Sequence, residues 1–377
     1  ELAMLNLRAG EKAMSSATFL ISASYLKAGI SMLDEGHWEK YYDLSLQLYN
    51  FYAEAEYCNG LFYEVGHAAD VVIERAKSFE NKCHVYFTLI KSLGAQYKIQ
   101  DAICIGFNVL TQLGVECSSS PPDRNAMVKE AMEIKMTLTQ LKDAEILNFR
   151  EMKDNDVRTA MKFLQILCVY GYLAKQQYVL FFIITMVKLT LRHGICKESC
   201  LGISSFSFAL CQFYDFEAAD RIGRLSVLLL EKCKAEEYRS YIYLLYYGNV
   251  RCWNVHVEQS LEKLLHGYHV GMQTGTIENA MNNASCFLMS SFVCGQNLVE
   301  LKREIDWFRK KMIEYKRTIA HVGSVILTLG VFVSNMLISN DCPSLIGGQN
   351  IEIKRFLEQA TEKNDTIAIC HAYMVGC

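Results

Sequence analysis

Two cysteines and a histidine are the first residues whose types and spacing could do chemistry. Cys196 and Cys200 lie one helical turn apart beside His193, so a helix would bring the two thiols onto one face. A structural zinc site needs a full tetrahedral set of ligands, and no second Cys/His pair follows at a suitable spacing; Cys211 could contribute only if the fold brought it back. A metal site and ordinary thiols at a hairpin turn are both open interpretations. We favour the thiols and predict no metal and no cofactor.

Motifs for nucleotide chemistry are absent from the sequence. A phosphate-binding loop ends in Gly-Lys-Ser/Thr and holds phosphates with its backbone amides, whereas Gly347-Gly348 is too short and lacks the lysine. The His-Arg-Asp and Asp-Phe-Gly loops of kinases are missing too. His266 and His269 lack nearby acidic partners, which is more typical of a polar helix face than of an acid–base dyad. We therefore predict no catalytic residue in this chain.

The densest aromatic cluster lies between residues 238 and 253. It comprises Tyr238, Tyr241, Tyr243, Tyr246, Tyr247 and Trp253. At helical spacing Tyr243 and Tyr247 share one face, and Tyr246 and Trp253 lie on another, so at least one face could be exposed. Tyrosine and tryptophan bury a large area with few rotatable bonds, which suits an interface. We predict that Tyr243, Tyr247, Arg251 and Trp253 bind a partner; core packing is the alternative.

Charge argues against nucleic acid as that partner. The net charge is −3, which gives no broad attraction to nucleic acid or anionic lipid. The segment Lys302–Arg317 is rich in basic residues around Trp307 and Phe308, and we interpret it as an amphipathic helix with a solvated face rather than as a nucleic-acid site.

The sequence predicts that all the elements that position these residues are helices. Three prolines in the whole chain leave long stretches in which nothing blocks a helix interior, and 51% hydrophobic residues provide a large core. Helical patterns pair into hairpins, first at Tyr42–Cys58 with Phe62–Lys77 and then at Cys83–Gly94 with Ile99–Leu113. Later pairs are Ser204–Phe213 with Glu217–Lys234, Glu236–Val250 with Val257–Met272, Ile277–Val293 with Leu298–Tyr315, and Val322–Ile338 with Ile351–Glu362.

The spacing of the hairpins predicts a repeat. Gly60 in one turn and Tyr97 in the next are separated by close to the ~34-residue period of tetratricopeptide repeats. We predict an all-α fold, a right-handed α-solenoid of stacked helical hairpins with about 14–18 helices. The rhythm breaks around the amphipathic helix Arg124–Leu141. We therefore divide the chain into a front array at 1–115, a connector at 116–156 and a rear array at 157–377.

One segment raises the question of a membrane. Thr318–Ser339 carries no formal charge, but it contains His321, Ser324, Ser334 and Asn335, so we interpret it as a buried helix of the array rather than a membrane span. The fifteen cysteines are scattered singly, as in a cytoplasmic protein with reduced thiols. The chain opens at Glu1 within a helical pattern and shows no signal peptide, so we expect an internal piece of a longer, cytoplasmic protein.

Several stretches resemble one family. They are Leu5-Asn-Leu-Arg-Ala-Gly-Glu-Lys-Ala13, Tyr25-Leu-Lys-Ala-Gly-Ile-Ser-Met-Leu33 with Trp38, Ala53-Glu-Ala-Glu-Tyr-Cys-Asn-Gly60, Val109-Leu-Thr-Gln-Leu-Gly114, the run from Leu264 to Ala280, and Gly295-Gln-Asn-Leu298. Together they resemble the tetratricopeptide-like region that follows the switch-type ATPase module in large serine/threonine and hybrid histidine signalling kinases. The family tends to have Gly-Asp where this chain has Gly60-Leu61 and Gly275-Thr276, and the resemblance weakens after Tyr315.

The resemblance implies a non-catalytic region that senses signals for, scaffolds or restrains the neighbouring ATPase. We accordingly expect an interaction and relay module, not an enzyme, whose superhelical groove binds a protein or peptide and couples it to flanking domains of the same chain. We expect no nucleic-acid and no membrane partner. The alternative is an all-helical enzyme or small-ligand sensor whose site the sequence does not reveal.

Overall fold

A computed structural model describes residues 1–116, 123–174, 176–314 and 320–338, with residues 358, 361 and 369. Within these ranges the regular elements are all helical, which confirms the all-α prediction. The α-helices are α1 (Leu2–Ser15), α2 (Phe19–Ser31), α3 (His37–Lys40), α4 (Tyr42–Asn59), α5 (Phe62–Arg75), α6 (Phe79–Ala95), α7 (Ile99–Gln112), α8 (Arg124–Gln140), α9 (Asp143–Leu147), α10 (Asn155–Ala174), α11 (Gln176–His193), α12 (Ser199–Cys211), α13 (Phe216–Cys233), α14 (Arg239–Leu245), α15 (Leu261–Gln273), α16 (Ile277–Val293), α17 (Leu298–Glu314) and α18 (Ala320–Ile338). Most of the predicted helix 351–362 lies outside the described residues.

The chain forms two compact units. The first comprises Glu1–Met136 and Phe149–Glu198, and the second comprises Thr137–Asn148 with the described residues of Ser199–Cys377. The predicted division at 1–115, 116–156 and 157–377 stays a prediction.

In the first unit, helices pack against their neighbours in the chain. α1 packs on α2, α2 on α4, α4 on α5, α5 on α6, α6 on α7, and α10 on both α7 and α11. Leu26, Leu48 and Val72 are fully buried in the core shared by the early helices. Small residues allow close approach: a Cβ on Gly106 would lie 2.5 Å from a methyl carbon of Leu167.

The hairpin turns share one backbone motif. Gly60 has φ +76° and Tyr97 has φ 58°, so both adopt the left-handed conformation after a helix. The next amide then donates to the carbonyl five residues back, from Leu61 to Glu56 at 2.9 Å and from Lys98 to Leu93 at 2.9 Å. This bond is the signature of a Schellman motif, which satisfies the otherwise unpaired carbonyls at a helix end.

The second unit also packs mainly through chain neighbours. α12 packs on α13, α14 on α15, α15 on α16, α16 on α17, and α17 on α18. Three apolar residues of α18, Ile326, Leu329 and Val333, are buried in a core that includes Leu301 and Ile305 of α17. This arrangement agrees with the buried helix expected at Thr318–Ser339, although the side chain of Val322, expected on the same face, lies outside the described residues. Among the described helices, none combines the length and the apolar character needed to cross a membrane.

Candidate functional site

The helix predicted at Glu236–Val250 changes its helical type along its length. A 3-10 turn at Glu236–Tyr238 leads into α14, which is followed by a π-helical turn at Tyr246–Val250 and a 3-10 turn at Arg251–Trp253. A π-helical turn has wider spacing than an α-helix, so the side chains after it point in other directions than an unbroken helix predicts. The predicted helix Glu236–Val250 is helical throughout, but regular α-helical spacing holds only within α14. The side-chain faces of α14 therefore do not extend to Arg251 and Trp253.

Tyr246 is the first residue of the π-helical turn and is buried. Its side chain is only 1% exposed and lies directly over Gly223 of α13, where a Cβ would approach the ring carbon Cδ2 to 2.3 Å. Its hydroxyl donates to Oδ1 of Asp220 at 2.9 Å and accepts a hydrogen bond from Nη1 of Arg251 at 3.1 Å. Asp220 also forms an ion pair with Arg224 at 3.2 Å. Burial, reinforced by Asp220, raises the pKa of Tyr246 above its usual range.

Arg251 joins this buried network to the surface segment that follows. Its Nη2 donates to the side-chain oxygen of Gln259 at 3.4 Å, while its Nη1 donates to Tyr246. Its buried Nε has no hydrogen-bond partner in the described part of the chain. The guanidinium of Arg251 therefore links the first residue of the π-helical turn, Tyr246, to Gln259 by hydrogen bonds.

Tyr243 and Tyr247 lie in a second, more enclosed cluster. Tyr243 is 5% exposed, and its hydroxyl accepts a hydrogen bond from Nη1 of Arg239 at 2.9 Å. Arg239 is itself buried and pairs with Glu231 at 2.6 Å and with Glu236 at 2.7 Å. The Tyr243 and Tyr247 rings meet edge to face at 5.0 Å. This geometry matches the core-packing alternative for Tyr243, while Tyr247 is half-buried.

Trp253 lies at the surface against residues that the sequence did not single out for binding. Its indole stacks on Phe216 with ring centroids 4.7 Å apart and planes 16° apart, and Tyr214 meets the edge of Phe216 at 6.3 Å. Trp253 is 60% exposed and Tyr214 83% exposed. We call these three residues the aromatic stack. Tyr214 and Phe216 lie in the predicted turn between the helices Ser204–Phe213 and Glu217–Lys234, and the signal available in the sequence was the pair of aromatic residues flanking Asp215.

Hydrogen bonds hold the aromatic stack in place. The indole N–H of Trp253 donates to the carbonyl of Asn249 at 3.2 Å, within the π-helical turn. The side-chain amide of Asn254 donates to the carbonyl of Phe216 at 2.7 Å. Asp215 caps α13 by accepting from the amide of Ala218 at 3.3 Å. The stack is thus an ordered apolar surface, and its rings lose little conformational freedom when a partner binds.

The cysteines and histidines that the sequence offered for metal binding or catalysis do not form a joint site among the described residues. Cys196 lies before α12, directly after Ile195, whereas Cys200 is on α12, so the two thiols do not share the helix face that the sequence suggested. No group of three or more His, Cys, Asp or Glu side chains is arranged to hold a metal ion among the residues that the structure describes. His266 meets the ring of Tyr243 edge to face at 5.7 Å, and His269 lies 5.2 Å from the ring of Tyr268.

Comparison with known proteins does not assign the chain to a family. No protein-family model matches the chain, and no curated protein matches it at a significant level. The resemblance to the repeat region of ATPase-linked signalling kinases therefore rests on the residues quoted for it and stays a prediction.

Proposed function

We propose that this chain is a non-catalytic protein-interaction module whose aromatic stack binds a segment of a protein or peptide partner. The observation that carries the proposal is the exposure of Trp253 and Tyr214 on an internally hydrogen-bonded platform. Large aromatic rings contribute strongly to protein interfaces because they bury much area at a low entropic cost. Of the predicted partner-binding residues, Trp253 makes the direct contact and Arg251 supports it, whereas Tyr243 and Tyr247 pack on each other in the separate cluster with Arg239.

The proposed architecture is a right-handed α-solenoid of stacked hairpins. Its support is that helices within each unit pack on their chain neighbours and that hairpins such as those at Gly60 and Tyr97 end in the same Schellman turn. In such an array each repeat contacts mainly its neighbours, so small rotations between repeats add up along the chain.

The proposed relay begins at the π-helical turn. Trp253 is bonded to Asn249 in that turn, and the turn is bonded through Tyr246 to Asp220 of α13. A partner that binds Trp253 more tightly in one geometry of the turn shifts the protein toward that geometry. We infer from the resemblance that the recipient is a neighbouring nucleotide-binding domain of a larger cytoplasmic signalling protein.

A selection of random displayed peptides on the purified chain tests the binding role. We expect enriched peptides whose affinity falls at least tenfold in Trp253→Ala, because an aromatic hot spot contributes roughly 2 kcal/mol or more to binding. The matched control is Trp307→Ala, which removes another tryptophan that is partly exposed, at 47%, on α17. The absence of any peptide whose binding depends on Trp253 contradicts the proposal.

Hydrogen exchange with a selected peptide bound tests the relay. We expect slower amide exchange in the π-helical turn at Tyr246–Val250 and also in α13 from Asp220 onward, which the peptide does not need to touch. Protection confined to Tyr214, Phe216 and Trp253 and their immediate neighbours contradicts the relay while leaving the binding role intact.

A further inference from the structure

Trp253 presents one open indole face. Phe216 covers the other face, with the two rings nearly parallel at 4.7 Å, and yet 60% of Trp253 remains exposed. The hydrogen bond from the indole N–H to Asn249 fixes the ring in its plane. The solvent side of the indole is therefore a preformed, electron-rich surface of the kind that attracts a cation.

The chain covers several of its other partly exposed rings with its own lysines. Nζ of Lys311 lies 5.9 Å from the ring centre of Trp307, and Nζ of Lys77 lies 4.3 Å from that of Tyr42. Within the described part of the chain, no Lys or Arg lies over Trp253 in this way. Trp253 therefore has a cation-binding face that the chain itself leaves open.

The charges on the segments that carry the stack favour a cation. Glu217 directly follows Phe216, is exposed, and forms no ion pair with any described residue. Of the two nearby arginines, Arg224 pairs with Asp220, and Arg251 keeps its charge but is held by Tyr246 and Gln259. The carboxylate of Glu217 is therefore an exposed negative charge without an ion pair to a described residue, on the residue next to Phe216.

We propose that the aromatic stack binds the cationic side chain of an arginine or lysine in a basic peptide, with the cation over the open face of Trp253 and Glu217 as its counter-charge. This inference rests on the proposed function and specifies the chemistry of the partner. Guanidinium groups stack flat on indole rings and are only weakly hydrated, so arginine is the preferred residue.

Fluorine NMR of the chain labelled with fluorotryptophan tests the proposal. The three tryptophans give three signals, which Trp38→Phe, Trp253→Phe and Trp307→Phe assign. The probes are blocked Gly-Gly-Arg-Gly-Gly and the same peptide with citrulline, which keeps the shape of arginine but carries no charge. We expect the arginine peptide to shift the Trp253 signal and the citrulline peptide to bind roughly fivefold to thirtyfold more weakly.

Glu217→Gln should weaken binding of the arginine peptide by roughly twofold to fivefold and reduce its dependence on salt, since a partly exposed charge pair is screened by ions. Glu35→Gln, on another exposed carboxylate without an ion pair to a described residue, should leave binding unchanged. Equal binding of the arginine and citrulline peptides, or no shift at Trp253, overturns the proposal.

The two proposals fail in different ways. Displayed peptides that depend on Trp253 but contain no basic residue would overturn the cation site and leave the interaction module standing. A selection that yields no peptide dependent on Trp253, whatever its composition, overturns both.

Discussion

The hydroxyl of Tyr246 donates a hydrogen bond to Oδ1 of Asp220 at 2.9 Å and thereby joins the π-helical turn to α13. The same hydroxyl accepts from Arg251, so one buried oxygen serves two charged neighbours. Because Trp253 is bonded to the same turn through Asn249, the position of the exposed aromatic stack depends on this buried bond.

Tyr246→Phe should lower the free energy of unfolding by about 1–3 kcal/mol, because it removes a buried hydrogen bond to a charged group and leaves Arg251 without that acceptor. Tyr247→Phe is the control, since the Tyr247 hydroxyl has no hydrogen-bond partner among the described residues; it should change stability by less than about 0.5 kcal/mol. Urea unfolding measures both. Equal losses in the two variants would contradict the proposed importance of the Asp220 bond.

The ion pair of Glu236 with Arg239 predicts a pH-dependent contribution to stability. The hydrogen bond from Arg239 holds the pKa of Glu236 below its usual range. The contribution is therefore complete above the unfolded carboxyl pKa of about 4.3 and is lost as the pH falls through the lower folded pKa. We expect Glu236→Gln to lower the melting temperature at neutral pH and to approach the wild type in acid.

Glu35→Gln is the matched control for this pH series, because Glu35 is exposed and has no ion pair to a described residue. Its melting temperature should follow that of the wild type at every pH. A difference between Glu236→Gln and the wild type that stays constant from neutral pH into acid would show that the Arg239 pair is not its source.

The sequence predicts most helices well because their apolar spacing and their breaks are local. Ile277–Val293 was predicted with the bounds that α16 has, and Leu298–Tyr315 differs from α17 by one residue. The π-helical turn could not be predicted in this way, since its first residue, Tyr246, packs over Gly223 of another helix and local spacing does not record that contact.

The same distinction applies to the candidate site. Trp253 was identified because aromatic residues cluster in that segment, and Arg251 was predicted together with it. Phe216 was missed as a binding residue because its stacking on Trp253 joins two hairpins, and no local spacing records that contact. Tyr243 has a side chain suited to an interface, but the buried Arg239 beneath it draws its hydroxyl inward.

The backbone of Tyr97 should be strained, because a residue with a Cβ rarely adopts a positive φ. Its φ of 58° is costly for a side chain with a Cβ, yet the residue is 88% exposed and makes a tight turn. Tyr97→Gly should be about 1 kcal/mol more stable than Tyr97→Ala, because both lack the ring and only glycine relieves the backbone. Gly60→Ala should show the reverse, a loss of about 1 kcal/mol, since a Cβ there meets nothing within 4 Å and only the conformation is affected. Equal stability of the two Tyr97 variants would contradict the assignment of strain.

Leu329→Ala should destabilise the protein by about 2–5 kcal/mol, because it empties a packed site in the core between α17 and α18. Leu337→Ala on the same helix is the control: Leu337 is 43% exposed, and its loss should cost less than about 0.5 kcal/mol. Chemical unfolding measures the difference. If α18 were instead embedded in lipid, the chain would partition into membranes on expression without detergent.

Gly223→Ala tests the close contact beneath the π-helical turn. A Cβ at this position would lie 2.3 Å from Cδ2 of Tyr246, so the ring or the turn must move. We expect a loss of about 1–3 kcal/mol in the free energy of unfolding, the usual cost of overpacking a filled core. Because Trp253 is bonded to the same turn, its fluorotryptophan signal should shift as well.

Gly66→Ala is the matched control, since Gly66 lies inside α5 and a Cβ there meets nothing within 4 Å. Alanine favours the helix over glycine by about 1 kcal/mol, so this variant should be more stable than the wild type. The same substitution therefore has opposite signs at the two helical positions. If Gly223→Ala were stabilising too, with the Trp253 signal unmoved, then Tyr246 would not pack as tightly on α13 as the structure has it, and the relay from Trp253 through Asn249 and Tyr246 would lose its support.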